Sequence, residues 1–201
     1  MSAHSWSFPT LYHGTIDSAA KALGENREDV RLLEDRHLDF GPGFYMTTSL
    51  EQAKKWAEKQ ARREGRLAGS KPPKGAVISL NTNLQNILSF KNWGFGMAFG
   101  GIPGQDWNGY FSLVKLYRSL SFGDARKFTQ YIGWDVLIGP VAKLGSEIKE
   151  IKPSLDQVAF VSDRAIQWLT GKFRLVGYYD VEIFERSVFD RSRSRRRAAC
   201  D

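Results

Sequence analysis

"LDFGPGFYMTTSLEQAKKWA", residues 38–57, places two glycines around a proline, then an aromatic pair and two threonines, directly before a run with helical spacing. The glycines call for a tight turn, and the stretch from Phe44 to Thr48 has the aromatic and β-branched character of a strand. Ser49 followed by Gln52 three residues on is a capping-box pattern, so a helix is expected from there. It should run through "LEQAKKWAEKQARREG" to a glycine stop at Gly65. Gly41-Pro42-Gly43 enters a strand instead of linking a strand to a helix, and no Lys-Ser/Thr follows. That excludes a dinucleotide fingerprint and a P-loop.

Outward from this block, "TLYHGT" at residues 10–15 reads as a strand running into a turn, and residues 17–33 as one or two short helices around Gly24. "GSKPPKG", residues 69–75, is a connector, and "AVISLNTNLQNILSF" after it is a strand with a short extension. Residues 92–109 are irregular, because their glycines oppose a helix while Trp93, Phe95, Phe99 and Trp107 resist full solvation. Residues 108–120 look helical, "WDVLIGPV" at 134–141 is a buried strand, and "DQVAFVSDRAIQWLTG" is a strand followed by a helix starting near Ser162. "FRLVGYYDVEIFE", residues 173–185, is long and β-rich, and no internal repeat is visible. Strands outnumber helices without alternating strictly with them, which argues for an α+β fold over a doubly wound parallel sheet.

With 201 residues, 42% hydrophobic and 13% aromatic, the chain can bury one substantial core, and residues 1–185 are expected to form a single domain. Cys200 is the only cysteine, which excludes a disulfide framework, a cysteine metal site and a cysteine nucleophile. No His, Cys and carboxylate cluster has ligand spacing, so no metal is expected. The start lacks a signal peptide pattern and no membrane-length apolar run occurs, so a cytoplasmic, monomeric protein without a membrane partner is expected. The net charge of +7 is uneven: residues 186–201 hold six arginines against two aspartates, leaving about +3 on the other 185 residues. Such a tail is either a solvated, disordered end or a contact for nucleic acid or another acidic surface.

Three strands carry groups where a core strand is usually apolar: His13 in "YHGT", Tyr45 in "GFYMTT" and Gln157 in "DQVAF". Singly, each has an ordinary explanation as a structural hydrogen-bonder or a core residue. Together, "LYHGT", "DFGPGFYMTT" with "QAKKWA", "WDVLIGPVA" and "DQVAFVSDRAI" resemble the successive motifs of DUF3990, a bacterial and phage family of unknown function. That family in turn resembles the ADP-ribosyltransferase fold, in its diphtheria-toxin and poly(ADP-ribose) polymerase branch. The resemblance implies a split β-sandwich of two small sheets with flanking helices, and NAD+ as substrate in a cleft between them. It fits a toxin or phage-related effector.

By that resemblance His13 would hydrogen-bond the adenosine ribose, Gly14 would pair its backbone with the nicotinamide amide beside Thr15, and Tyr45 would stack on the nicotinamide ring. Trp56, eleven residues further on, matches the position of a second stacking aromatic, although its stripe with Ala53 and Ala57 also suits a core residue. A pyridinium between two aromatic faces gains about 0.5 to 2 kcal/mol from each.

The third position departs from the polymerase-like pattern: Gln157 stands where a glutamate would bond the ribose 2'-hydroxyl. An amide orients the ribose but brings no charge, and a lost preorganised group of this kind costs about 2.7 to 4 kcal/mol. Transfer to an already nucleophilic acceptor, or slow turnover, is expected. Asp156 could restore the charge only by turning inward, which its alternation with Gln157 opposes. Residues 92–109 are either an acceptor-choosing loop or an insert folded over the core, so protein and nucleic-acid acceptors both stay open. Two other readings share these residues: an NAD+ glycohydrolase, and a nucleotide- or nucleic-acid-binding module without catalysis.

Overall fold

The computed structural model describes residues 10–30, 38–97, 108–142 and 151–181. Within them the architecture is mixed α and β, with two small sheets and several helices. Strands β1 (Thr10–Ile16), β3 (Gly75–Asn83) and β7 (Phe173–Tyr179) form one sheet in the order β1-β3-β7, antiparallel throughout. Strands β2 (Phe44–Met46), β4 (Phe95–Met97), β5 (Val136–Ala142) and β6 (Ile151–Phe160) form the other in the order β2-β6-β5-β4, where only β4 and β5 run parallel.

The sheets meet at one bridge. Tyr12 N–H donates to the Thr47 carbonyl at 2.8 Å and Thr47 N–H donates back at 2.9 Å. Hydrogen-bonding direction alternates along a strand, so the N–H and C=O of Gly14, two residues beyond Tyr12, leave β1 by that same edge. They point into the gap that opens beyond the bridge.

Three apolar clusters hold the sheets in place. Leu11, Ile78 and Leu80 of the first sheet meet Phe44, Val136, Val158 and Phe160 of the second, together with Leu169 of α6 (Asp163–Leu169). On the other face of the second sheet, Leu137, Ala159 and Val161 pack against Val114 and Tyr117 of α4 (Asn108–Ser119) and Ala125 of α5 (Phe122–Ile132). The third cluster sets Ala53 and Ala57 of α2 (Leu50–Ala68) on Val77. Small residues there bring the helix almost onto the strand: a Cβ on Gly14 would lie 1.9 Å from the Ala53 carbonyl oxygen. Gly14 is therefore required for packing, a demand separate from any ligand contact.

Most of the expected elements are present, including α1 (Asp17–Gly24), while the short extension expected after β3 is a helix, α3 (Leu84–Leu88). Ser49 caps α2 by accepting from Gln52 N–H at 3.2 Å. The expected stop at Gly65 is wrong, because α2 continues to Ala68 and ends at Gly69 in the left-handed conformation with φ 61°. Gly65 lacks a side chain for another reason: a Cβ there would meet Pro72 at 2.7 Å. Helix α5, capped by Ser121, falls in a stretch to which the sequence reading gives no element. Strand β4 falls inside the segment read as irregular. Trp93 and Phe95 from that segment pack on the first cluster, so for these two the insert over the core is the better description. Phe99 and Trp107, the 186–201 tail and the 185/186 boundary lie outside the described residues. Among the described residues, no helix is long and apolar enough to cross a membrane.

Candidate functional site

The gap between the sheets is a cleft of about 430 Å³, within the usual range for small-molecule pockets. His13, Gly14 and Thr15 of β1, Tyr45 of β2, Trp56 of α2 and Gln157 of β6 all line it, so the fold brings together the six residues to which the resemblance gives a ligand contact. Trp56 is 36% exposed while Ala53 and Ala57 are fully buried, which separates it from the core stripe. Lys59 Nζ sits 4.5 Å from the Trp56 ring centroid, a cation–π contact.

The turn before β2 fixes Tyr45. Its hydroxyl donates to the Gly41 carbonyl at 2.8 Å and accepts from Phe40 N–H at 2.9 Å. Gly41 has φ 70°, and a Cβ on it would meet the Tyr117 ring at 2.6 Å, so this turn admits only glycine without strain. Burial, partly offset by the Phe40 N–H and reinforced by the Asp39 charge, pushes the Tyr45 phenol well above its ordinary value. It stays neutral at any ordinary pH, so Tyr45 offers the cleft a ring and not a proton acceptor. His13 Nδ1 lies 2.6 Å from the Tyr45 carbonyl oxygen. A carbonyl only accepts, so Nδ1 carries the hydrogen and Nε2 is the acceptor of the neutral ring.

Gln157 is 8% exposed and heavily engaged. Its Nε2 donates to Asp39 Oδ2 at 2.7 Å and to the Pro140 carbonyl at 2.9 Å, with the Tyr110 hydroxyl at 3.4 Å. Oε1 has no partner among the described residues. Asp39 itself, 7% exposed, accepts from Ala142 N–H at 2.9 Å and pairs with Arg118, whose side chain is 13% exposed. Asp39 and Arg118 also line the cleft. Sequence reading missed both. Asp39 stood inside the opening block with an aspartate's usual turn role, and Arg118 lies on a helix far along the chain. A buried carboxylate thus stands directly behind the amide at the third position. Asp156 takes no part: it accepts from Thr47 Oγ1 and from Thr48 N–H at 3.1 Å, as the alternation with Gln157 required. Among the described residues no group of three His, Cys, Asp or Glu side chains could hold a metal ion.

Residues 10–94 match the model of a family described as a protein of unknown function, DUF3990. The match takes in β1, the turn, β2 and α2, and hence His13, Gly14, Thr15, Asp39, Tyr45 and Trp56. Arg118 and Gln157 lie beyond it. No curated protein and no solved structure matches the chain.

Proposed function

We propose that the chain is an NAD+-dependent ADP-ribosyltransferase acting on a protein or nucleic-acid acceptor. The observation that carries this reading is the convergence of His13, Gly14, Tyr45, Trp56 and Gln157, from four separate elements, on one cleft. The bond broken is that between ribose C1' and the nicotinamide nitrogen. Nicotinamide leaves with the electron pair, the acceptor nucleophile bonds to C1' and its proton passes to solvent. Tyr45, pinned at its hydroxyl, supplies a fixed aromatic face, and Trp56 supplies a second. The free edge of β1 at Gly14 offers an N–H and a C=O to the carboxamide, and His13 Nε2 is the ring nitrogen a ribose hydroxyl would meet. Gln157 Oε1 accepts from the ribose 2'-hydroxyl. Asp39, holding the other end of the amide, orients that oxygen and increases its electron density as positive charge develops at C1'.

The test is incubation of NAD+ with cell extract and either the wild type or Gln157→Ala, following free nicotinamide and ADP-ribose attached to macromolecules. The wild type should release nicotinamide and label an acceptor, and Gln157→Ala should be slower by one to two orders of magnitude, roughly 1.4 to 3 kcal/mol. Nicotinamide release without labelling would make the chain a glycohydrolase. NAD+ binding without release would make it a binding module.

A further inference from the structure

Two buried polar side-chain atoms lack a hydrogen-bond partner among the described residues, Gln52 Oε1 and Arg118 Nε, and both belong to residues that line the cleft. A buried acceptor left unmade is costly, and each one in a native fold calls for an explanation. Two other buried polar side chains on this cleft, Asp39 and Thr47, have every side-chain oxygen bonded. Gln52 is 6% exposed, and its orientation is fixed because Nε2 donates to the Asp156 carbonyl at 2.7 Å. In a full capping box its side chain would return to Ser49 N–H. Here that N–H donates to Thr47 Oγ1 at 3.1 Å, and the Gln52 side chain reaches across to β6. The sequence motif is therefore only half a cap.

Trp56 lies one turn further along α2, and residues four apart share a helix face, so Gln52 and Trp56 form one stripe along the cleft wall. A planar ring against Trp56 would bring its rim, where exocyclic groups lie, toward the unpartnered oxygen. We infer that Gln52 is a specificity-determining residue whose Oε1 accepts a hydrogen bond from an N–H2 group on a planar ring of the ligand. This rests on the NAD+ reading above. In NAD+ the ring that the reading above sets against Trp56 is nicotinamide, whose carboxamide carries such a group; the adenine amine is the other N–H2 of the molecule.

The experiment is calorimetric titration of the wild type and Gln52→Met with three ligands. They are NAD+, 3-acetylpyridine adenine dinucleotide, which replaces the carboxamide N–H2 by a methyl, and nicotinamide hypoxanthine dinucleotide, which replaces the adenine amine by a carbonyl. The wild type should bind one analogue about tenfold more weakly than NAD+, because that analogue leaves the buried oxygen unpaired. Which one it is identifies the donor. Gln52→Met should lose most of that preference, keeping only what the Gly14 carbonyl contributes at the carboxamide, while unfolding cooperatively in urea, and Gln52→Ala takes its place if Gln52→Met does not fold. Equal wild-type affinities for all three ligands, or an undiminished preference in the variant, would overturn the assignment and leave the NAD+ reading intact. Failure of the wild type to bind NAD+ would overturn both.

Discussion

Asp39 and Asp135 are both nearly excluded from solvent and both paired with an arginine, yet they do different things. Asp135 accepts from Gly94 N–H at 2.7 Å, from Ser162 and from Arg164, whose Nε lies 2.6 Å away. Each contact ties one segment of the second sheet or α6 to another, and Arg164 reaches into solvent with a side chain 55% exposed. Asp39 has the same kinds of partner, a backbone N–H, a polar side chain and a guanidinium, but its polar partner is an amide on the cleft and its arginine is almost buried. The comparison shows that one interaction pattern serves as a structural tie at one end of the sheet and as the support of a cleft-lining amide at the other. What distinguishes them is what stands on the far side of the partner.

The largest effect should come from Asp39→Ala, which leaves Arg118 charged in a nearly dry site. Urea unfolding should show a loss of about 3 to 5 kcal/mol. Asp39→Asn combined with Arg118→Met removes both charges and should recover stability to within about 1 kcal/mol of the wild type. Nicotinamide release should nevertheless stay depressed about tenfold or more, because the charge behind Gln157 is gone. Recovery of both properties would make Asp39 a second Asp135.

Asp135→Asn should cost less, about 2 kcal/mol, since Arg164 is left in solvent and not stranded. NAD+ affinity should not change. Burial by itself raises the Asp135 pKa, but the hydrogen bonds from Arg164, Ser162 and Gly94 N–H outweigh it and hold the carboxyl below the ordinary aspartate range. Its stabilising contribution is thus full above the unfolded value of about 3.9 and disappears as pH falls through the lowered folded value. Urea midpoints measured from pH 6 down to pH 2 should fall for the wild type in that window and fall less for Asp135→Asn.

A smaller effect belongs to Tyr45→Phe, which loses the bonds to Gly41 and Phe40 but keeps the ring. About 1 kcal/mol of stability should go, read in the same unfolding assay. NAD+ affinity should shift by no more than about threefold, because stacking needs the ring alone.

Local signals made much of this legible. The Gly-Pro-Gly turn, the strand at Phe44 and the Ser49 cap were readable because turn chemistry and capping act over a few residues. Gly65 misled because a helix glycine can mark either a stop or a close contact, and only the fold shows Pro72 against it. Strand β4 was hidden for a similar reason: three residues around Gly96 carry too little pattern, and a Cβ there would meet the Leu137 side chain at 2.3 Å. The site divides in the same way. His13, Tyr45 and Gln157 showed as polar or aromatic residues on strands, whereas Asp39 and Arg118, 79 positions apart in the chain, become partners only through the packing of α4 on the second sheet. The orphaned oxygen of Gln52 has no sequence signature, since a glutamine at that position in a capping box normally bonds its own cap.

The most direct test of the account is calorimetric titration of NAD+ into the wild type, Tyr45→Ala and Asp135→Asn at neutral pH. Saturable binding to the wild type is expected, with an affinity roughly two- to thirtyfold weaker in Tyr45→Ala, where a stacking face of about 0.5 to 2 kcal/mol is removed, and an unchanged affinity in Asp135→Asn. Absence of binding to the wild type, or one common affinity for all three proteins, would contradict it.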